Sequence, residues 1–66
     1  MTAYHKKGNY GAQVVTRNDG EGFDVYFLYN MTNDRNGDVW DRKQYKTRKT
    51  ADRKVEAYFK MQGVAA

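Results

Sequence analysis

Residues 42–54 read RKQYKTRKTADRK, and this run holds the side chains most suited to binding chemistry. Seven of its thirteen residues are Lys or Arg, and Asp52 is its one acidic residue. Lysine and arginine neutralise phosphates and release the counterions that condense on a nucleic acid. The run therefore predicts a polyanion-binding surface, with DNA or RNA as the partner.

Residues of the predicted strands that lie off the core face would extend this surface. Arginine and glutamine recognise base edges, and an exposed Tyr or Trp stacks on unpaired bases. The predicted nucleic-acid-binding residues are Arg17, Tyr26, Trp40, Arg42, Lys43, Gln44, Lys46, Arg48, Lys49, Arg53 and Lys54. For Tyr26 and Trp40 the alternative is ordinary packing, for instance under the N-terminal segment.

The charges are polarised along the chain, which leaves a second interpretation of the basic run open. Residues 1–17 carry three cations, residues 18–41 carry six carboxylates and Arg35, and residues 42–66 carry eight cations and two carboxylates. The three segments thus have net charges of +3, −5 and +6. The cations are then either a phosphate-binding surface or a solvated face neutralised by the protein's own carboxylates.

A protein partner is the alternative to nucleic acid. An acidic hairpin can occupy a basic channel on another protein. The residues of that alternative surface are Asp19, Glu21, Asp24, Asp34, Asp38 and Asp41. In size, Tyr and Asn content and lack of cysteine, the chain resembles the small accessory proteins of phages and mobile elements. Many of those bind or inhibit a host protein such as a polymerase, a nuclease or a defence complex, in the cytoplasm of the host cell.

Other classes of function have little support in the residue types. There is no cysteine, and the single histidine, His5, lies in a polar stretch without partners at metal-ligand spacing, so we expect it at the surface. The run NDRNGD lacks the closing bidentate Glu of a calcium loop. We expect no enzymatic activity, no metal and no cofactor. No segment reads as a signal peptide or a membrane span, while a weak homodimer through exposed aromatics is a third hypothesis.

Hydrophobic periodicity predicts the elements that position these side chains. Alternation at period two predicts strands over YGAQVVTR (10–17), FDVYFLYN (23–30) and VWDRKQYK (39–46), with turns at 18–22 and 31–38. The second strand is apolar on both faces, which predicts a central position. Residues 1–9 are either flexible or a short extra strand near 3–6.

The C-terminal part of the chain changes period and predicts a helix over 47–62. Ala51, Val55, Tyr58, Phe59 and Gln62 form one stripe at helical spacing. Thr47 is the expected N-cap, with Thr50 as the alternative, and Gly63 is the expected C′ residue. The chain is thus a single α+β domain: a three-stranded antiparallel β-meander over 10–46, packed on one C-terminal α-helix.

The third predicted strand conflicts with this packing. Tyr45 should face the helix, and strict alternation then places Asp41 and Lys43 on the same face. A core does not accept unpaired charges. Either this strand is an edge that extends past the helix, or a β-bulge switches its phase.

The segment QYKTRKTADRKVEAYF resembles the strand-to-helix junction of the arm-type DNA-binding domain of tyrosine integrases. Tyr45, Lys46, Thr47 and Ala51 match its pattern of an aromatic, a basic residue, a Thr and an early helical Ala. The order of three strands and a helix is also similar to the plant ethylene-response-factor fold. The resemblance spans about residues 10–62 and implies a DNA-binding sheet. The acidic segment 18–41 departs from it, and no catalytic integrase domain follows, so we expect no recombination activity.

Overall fold

Four antiparallel strands precede one helix in the computed structural model, which describes residues 2–17 and 20–63. The elements are β1 (Thr2–Lys7), β2 (Tyr10–Thr16), β3 (Phe23–Tyr29), β4 (Asp38–Tyr45) and α1 (Arg48–Met61). The strands lie side by side in sequence order, so β2 and β3 are interior and β1 and β4 are edges. The α+β class is confirmed, whereas the predicted count of three strands is wrong. Residues 2–7 form a full fourth strand, which includes the short extra strand offered as an alternative near 3–6.

The tight connections have the backbone conformations that their residue types favour. Gly8 has a φ of +60° in the β1–β2 turn, a conformation that glycine adopts without steric cost. In the β2–β3 connection the Arg17 backbone amide donates to the Gly22 carbonyl at 3.0 Å. Gly22 is buried with a φ of +142°, and a Cβ there would lie 2.5 Å from the Tyr45 carbonyl oxygen. Glycine is therefore required at this position.

The core lies between the sheet and α1. Strand pairing places alternate residues of β2 and β3 on the helix side, and the predicted helical stripe packs onto them. The buried residues of this core are Ala12, Val14, Val25, Phe27, Ala51, Val55, Tyr58 and Phe59.

The helix begins and ends close to the predicted residues. The Thr47 hydroxyl accepts from the Thr50 backbone amide at 3.2 Å, which confirms Thr47 as the N-cap. Gln62 is the C-cap, and Gly63 follows with a φ of +75°. This left-handed conformation is the usual one at C′.

A β-bulge in β4 changes which residues face the helix. Phe27 pairs with Asp41, but the next residue of β3, Leu28, pairs with Val39, so Trp40 is the extra residue. Trp40 lies on the helix side, with its ring centroid 5.5 Å from that of Tyr58. The prediction that Trp40 lies off the core face is therefore wrong. Trp40 packs, as the alternative proposed, but its partner is Tyr58 of α1 and not the N-terminal segment.

The bulge does not remove Asp41 and Lys43 from the helix side. Lys43 pairs with Val25 and Asp41 with Phe27, both of which are core residues. The two charged side chains stay partly exposed because β4 is an edge strand, and they form an ion pair at 3.8 Å. The bulge and the edge position, which the sequence offered as alternatives, are both present. The edge position is the feature that keeps these two charges in contact with solvent.

The sheet face opposite the helix, here called the open face, is partly covered by the connection between β3 and β4. The Gln13 amide donates to the Arg35 carbonyl at 2.9 Å, and the Arg35 guanidinium lies 5.1 Å from the centre of the Tyr4 ring. The Met31 side chain packs closely on Gly11, because a Cβ at that position would lie only 2.8 Å from Cε of Met31. The β2 part of the open face is therefore covered in part, whereas the open-face residues of both edge strands, β1 and β4, stay exposed.

Candidate nucleic-acid interface

The predicted nucleic-acid-binding residues fall on three surfaces rather than one. Strand register places Tyr26, Arg42 and Gln44 on the open face, and the ion pair with Asp24 brings Arg17 to the same face. Trp40, Lys43 and Lys54 line a groove between β4 and α1 on the other side of the sheet. Arg48, Lys49 and Arg53 belong to the first turns of α1.

The edge strand β4 connects the first two of these surfaces. Arg42, Gln44 and Lys43 alternate between its faces, and all three are exposed. Lys46 follows the strand directly and lines a shallow depression with Gln44 and Arg17. We call Arg42, Lys43, Gln44 and Lys46 the basic edge.

Ion pairs account for few of the cations of residues 42–54. Lys43 pairs with Asp41, and Arg48 pairs with Asp52 at 2.9 Å, one helical turn away. Among residues 2–17 and 20–63, no carboxylate lies within 4.0 Å of the remaining cations of this run, which are Arg42, Lys46, Lys49, Arg53 and Lys54. Of the cations in residues 42–54, Lys43 is therefore the only one that a described hairpin carboxylate neutralises.

The acidic side chains are dispersed over the molecule. Asp24 pairs with Arg17 across the open face at 3.6 Å, and Asp41 lies on the helix side with Lys43. Asp38 accepts from the Asn30 amide at 3.4 Å, while Asp34 is exposed in the β3–β4 connection. Glu21 is exposed in the β2–β3 connection. Asp19 lies outside the described residues.

The groove between β4 and α1, here called the Trp40 groove, is mainly apolar. Its volume is about 240 Å³, and its lining includes Phe27, Trp40, Asp41, Lys43, Tyr45, Lys54, Tyr58 and Met61. Trp40 retains 52% of its accessible surface and Met61 63%. Burial, and then the charge of Asp41, raises the pKa of the Tyr45 phenol.

A second groove lies on the opposite flank of α1, against β1. Its volume is about 470 Å³, and it is lined by His5, Lys7, Lys49, Asp52, Arg53, Val55, Glu56 and Phe59. His5 is half-buried in β1, and its buried Nε2 has no hydrogen-bond partner among the described residues. The expectation of a surface His5 was wrong because residues 2–7 form a strand whose odd positions face the helix. Cations and carboxylates alternate around this groove, so it has no clear preference for an anion.

Sequence reasoning missed the positions of Lys7, Met61 and Arg35. Lys7 lies 5.7 Å from the centre of the Phe59 ring. Met61 lines the Trp40 groove, and Arg35 is held over Tyr4. The strand alternation of residues 2–7 was the one signal available for Lys7, whereas nothing local indicates that the β3–β4 connection folds over the sheet.

The chain matches no protein-family model, no curated protein sequence and no solved structure. The resemblance to the integrase arm-type domains therefore stays a prediction. In the described part of the chain no helix is long and apolar enough to cross a membrane. The same residues contain no group of three or more His, Asp or Glu side chains that could hold a metal ion.

Proposed function

We propose that this protein is a small nucleic-acid-binding module that contacts its ligand through the basic edge. The observation that carries the proposal is the edge position of β4, because an edge strand presents side chains of both faces to one elongated ligand. Arg42 and Lys46 have no carboxylate within ion-pair distance among the described residues. A cation without an ion-pair partner binds phosphate at little cost in free energy, because it gives up only water and counterions.

The basic edge favours contact with the backbone over base readout by the whole sheet. A sheet that enters a major groove needs a freely accessible face. Here the β3–β4 connection covers part of the open face through the contacts of Arg35 with Gln13 and Tyr4. The exposed polar residues on the basic side of this face, Arg42 and Gln44, lie on the edge strand itself.

The direct test is the affinity for labelled single-stranded and duplex DNA or RNA at two salt concentrations. With about three phosphates neutralised, by Arg42, Lys43 and Lys46, a single strand should bind on the order of 20-fold more weakly at about 200 mM than at about 50 mM salt. Replacement of Arg42 and Lys46 by Gln should reduce the slope of log affinity against log salt by about 1.4.

A matched control removes the same charge elsewhere. Lys6 lies on the opposite edge of the sheet and Lys60 on α1, and both are exposed. The double variant Lys6→Gln/Lys60→Gln should keep most of the affinity and of the salt slope. No binding of any nucleic acid at low salt would overturn the proposal. An equal loss of affinity in the control variant would show that the basic edge is not the binding surface.

A protein partner remains the second candidate, supported by the exposed carboxylate of Asp34. No cation lies within 4.0 Å of this group among the described residues. A partner that depends on the acidic connection should be lost on Asp34→Lys/Asp38→Lys replacement and should survive nuclease treatment in a pull-down. The basic-edge variant would then have no effect on that complex.

A further inference from the structure

The β-bulge gives Trp40 an unusual position. In a regular strand, Trp40 and Asp41 would lie on opposite faces, but the bulge places both opposite Phe27 on the helix side. The indole packs on Tyr58 with an angle of 35° between the rings. Even so, 52% of the Trp40 surface stays accessible. Bulges often re-aim a side chain next to a binding site.

The surroundings of this exposed indole combine an apolar floor with cations. Tyr58, Ala57 and Met61 of α1 line the Trp40 groove together with Lys54. Lys54 has no carboxylate within ion-pair distance among the described residues, whereas Lys43 is held by Asp41. An aromatic platform with an unpaired ammonium beside it suits a ligand that carries both a flat ring and a negative charge.

We propose that the Trp40 groove binds one unpaired base of a single-stranded nucleic acid. Trp40 is the stacking platform, and Lys54 contacts a neighbouring phosphate. This inference rests on the proposed function and specifies its ligand class, since a base inside a duplex cannot reach a side-chain groove without leaving the stack. The basic edge begins at the rim of the groove with Lys43, so the backbone can continue along Arg42 and Lys46.

A purely apolar occupant, such as a hydrophobic peptide segment, fits less well. It would bring no charge to Lys54, and it would desolvate the ion pair of Lys43 and Asp41 without compensation. A single nucleic-acid strand suits both the apolar floor and the cations, because the faces of its bases are apolar and each of its phosphates is negatively charged.

The single tryptophan of the chain makes the test direct, because its fluorescence reports only on this groove. The full chain is titrated with a short oligothymidylate and, in parallel, with an abasic oligonucleotide that has the same number of phosphates. Stacking on the indole predicts quenching by oligothymidylate but not by the abasic strand.

Variants then separate stacking from charge. Trp40→Ala should weaken oligothymidylate binding by about tenfold or more, since one base stacked on an aromatic side chain accounts for a factor of that order. Trp40→Phe should retain most of the affinity. Tyr4→Ala removes a different exposed aromatic, 43% accessible on the open face, and should have no effect. None of these variants should alter binding of the abasic strand.

The failure of this inference differs from the failure of the proposed function. Equal quenching by both oligonucleotides, or unchanged oligothymidylate affinity in Trp40→Ala, would overturn the proposal of a base in the Trp40 groove. Neither result would contradict binding through the basic edge. If Trp40→Ala does not fold, quenching of the unaltered chain and the affinity of Trp40→Phe decide the question. No binding of either strand at low salt would overturn both.

Discussion

Tyr58 connects the core to the bulged part of the sheet. On the helix side its ring packs against Phe27 at a centroid distance of 4.9 Å and against Trp40 at 5.5 Å. Its hydroxyl donates a buried hydrogen bond to the Leu28 carbonyl at 2.7 Å. Leu28 precedes the end of β3 and pairs with Val39 beyond the bulge. One side chain therefore secures both the core and the irregular part of β4.

Tyr58→Phe should lower the free energy of unfolding at neutral pH by about 1–2 kcal/mol, because the Leu28 carbonyl loses a buried donor. Burial, and then the nearby Tyr10 phenol, raises the pKa of Tyr58 above its ordinary value of 10.0. A raised folded-state pKa means that this contribution is complete below pH 10 and is lost as the pH rises through the folded pKa. Urea denaturation between about pH 7 and 11 should thus show a smaller alkaline loss in Tyr58→Phe.

The exposed Tyr29, replaced by Phe, is the control for this measurement and should follow the unaltered chain. Part of the alkaline loss should persist in Tyr58→Phe because burial also raises the pKa of Tyr45. An identical pH dependence in Tyr58→Phe and the unaltered chain would contradict the role given to the Tyr58 hydroxyl.

At the scale of elements, the start of α1 depends on one hydroxyl. The Thr47 side chain accepts from the backbone amide of Thr50, and its own hydroxyl donates to the Thr50 side chain at 2.9 Å. Thr47→Ala should cost about 1 kcal/mol of unfolding free energy, since an N-terminal amide loses its partner. Thr50→Ala should cost less, because alanine favours the helix interior. Thermal or urea denaturation of the two variants gives the comparison, and a larger loss in Thr50→Ala would contradict the assignment of the cap.

Periodicity was sufficient to predict three of the strands and the helix, because each carries a stripe of apolar residues. It was not sufficient for β1, whose residues 2–7 include no large aliphatic side chain. This strand is specified by pairing with β2, such as Ala3 with Val14 and His5 with Ala12, and not by its own pattern. The local pattern of residues 2–7 therefore indicated a short extra strand only as an alternative, and the pairing with β2 decides it.

The candidate site was predictable in composition but not in arrangement. Counting charges identified the cations of residues 42–54, and alternation placed Arg42 and Gln44 together on one face, as observed. Trp40 was misplaced because a bulge shifts the phase of alternation, and the sequence around it carries no residue that identifies a bulge. The groove formed by Trp40 and Lys54 consequently had no counterpart in the prediction.

For the whole molecule, the dominant electrostatic feature is an excess of cations concentrated in residues 42–54. The formal net charge is +4, and the ion pairs of the described residues lie at exposed or half-exposed positions. Exposed ion pairs contribute little to stability, whereas clustered like charges repel one another over a distance that salt shortens. Ligand-free protein should therefore be more stable in moderate salt than in low salt.

Raising NaCl from about 10 mM to about 150 mM should increase the free energy of unfolding by roughly 0.5–1 kcal/mol, because the Debye length falls from about 30 Å to about 8 Å. Urea denaturation at both concentrations measures this. Arg42→Gln/Lys46→Gln should flatten the dependence more than Lys6→Gln/Lys60→Gln, although both remove two charges. Equal flattening would mean that net charge matters and clustering does not, and a fall in stability with salt would mean that the ion pairs of Lys43 and Arg48 outweigh the repulsion.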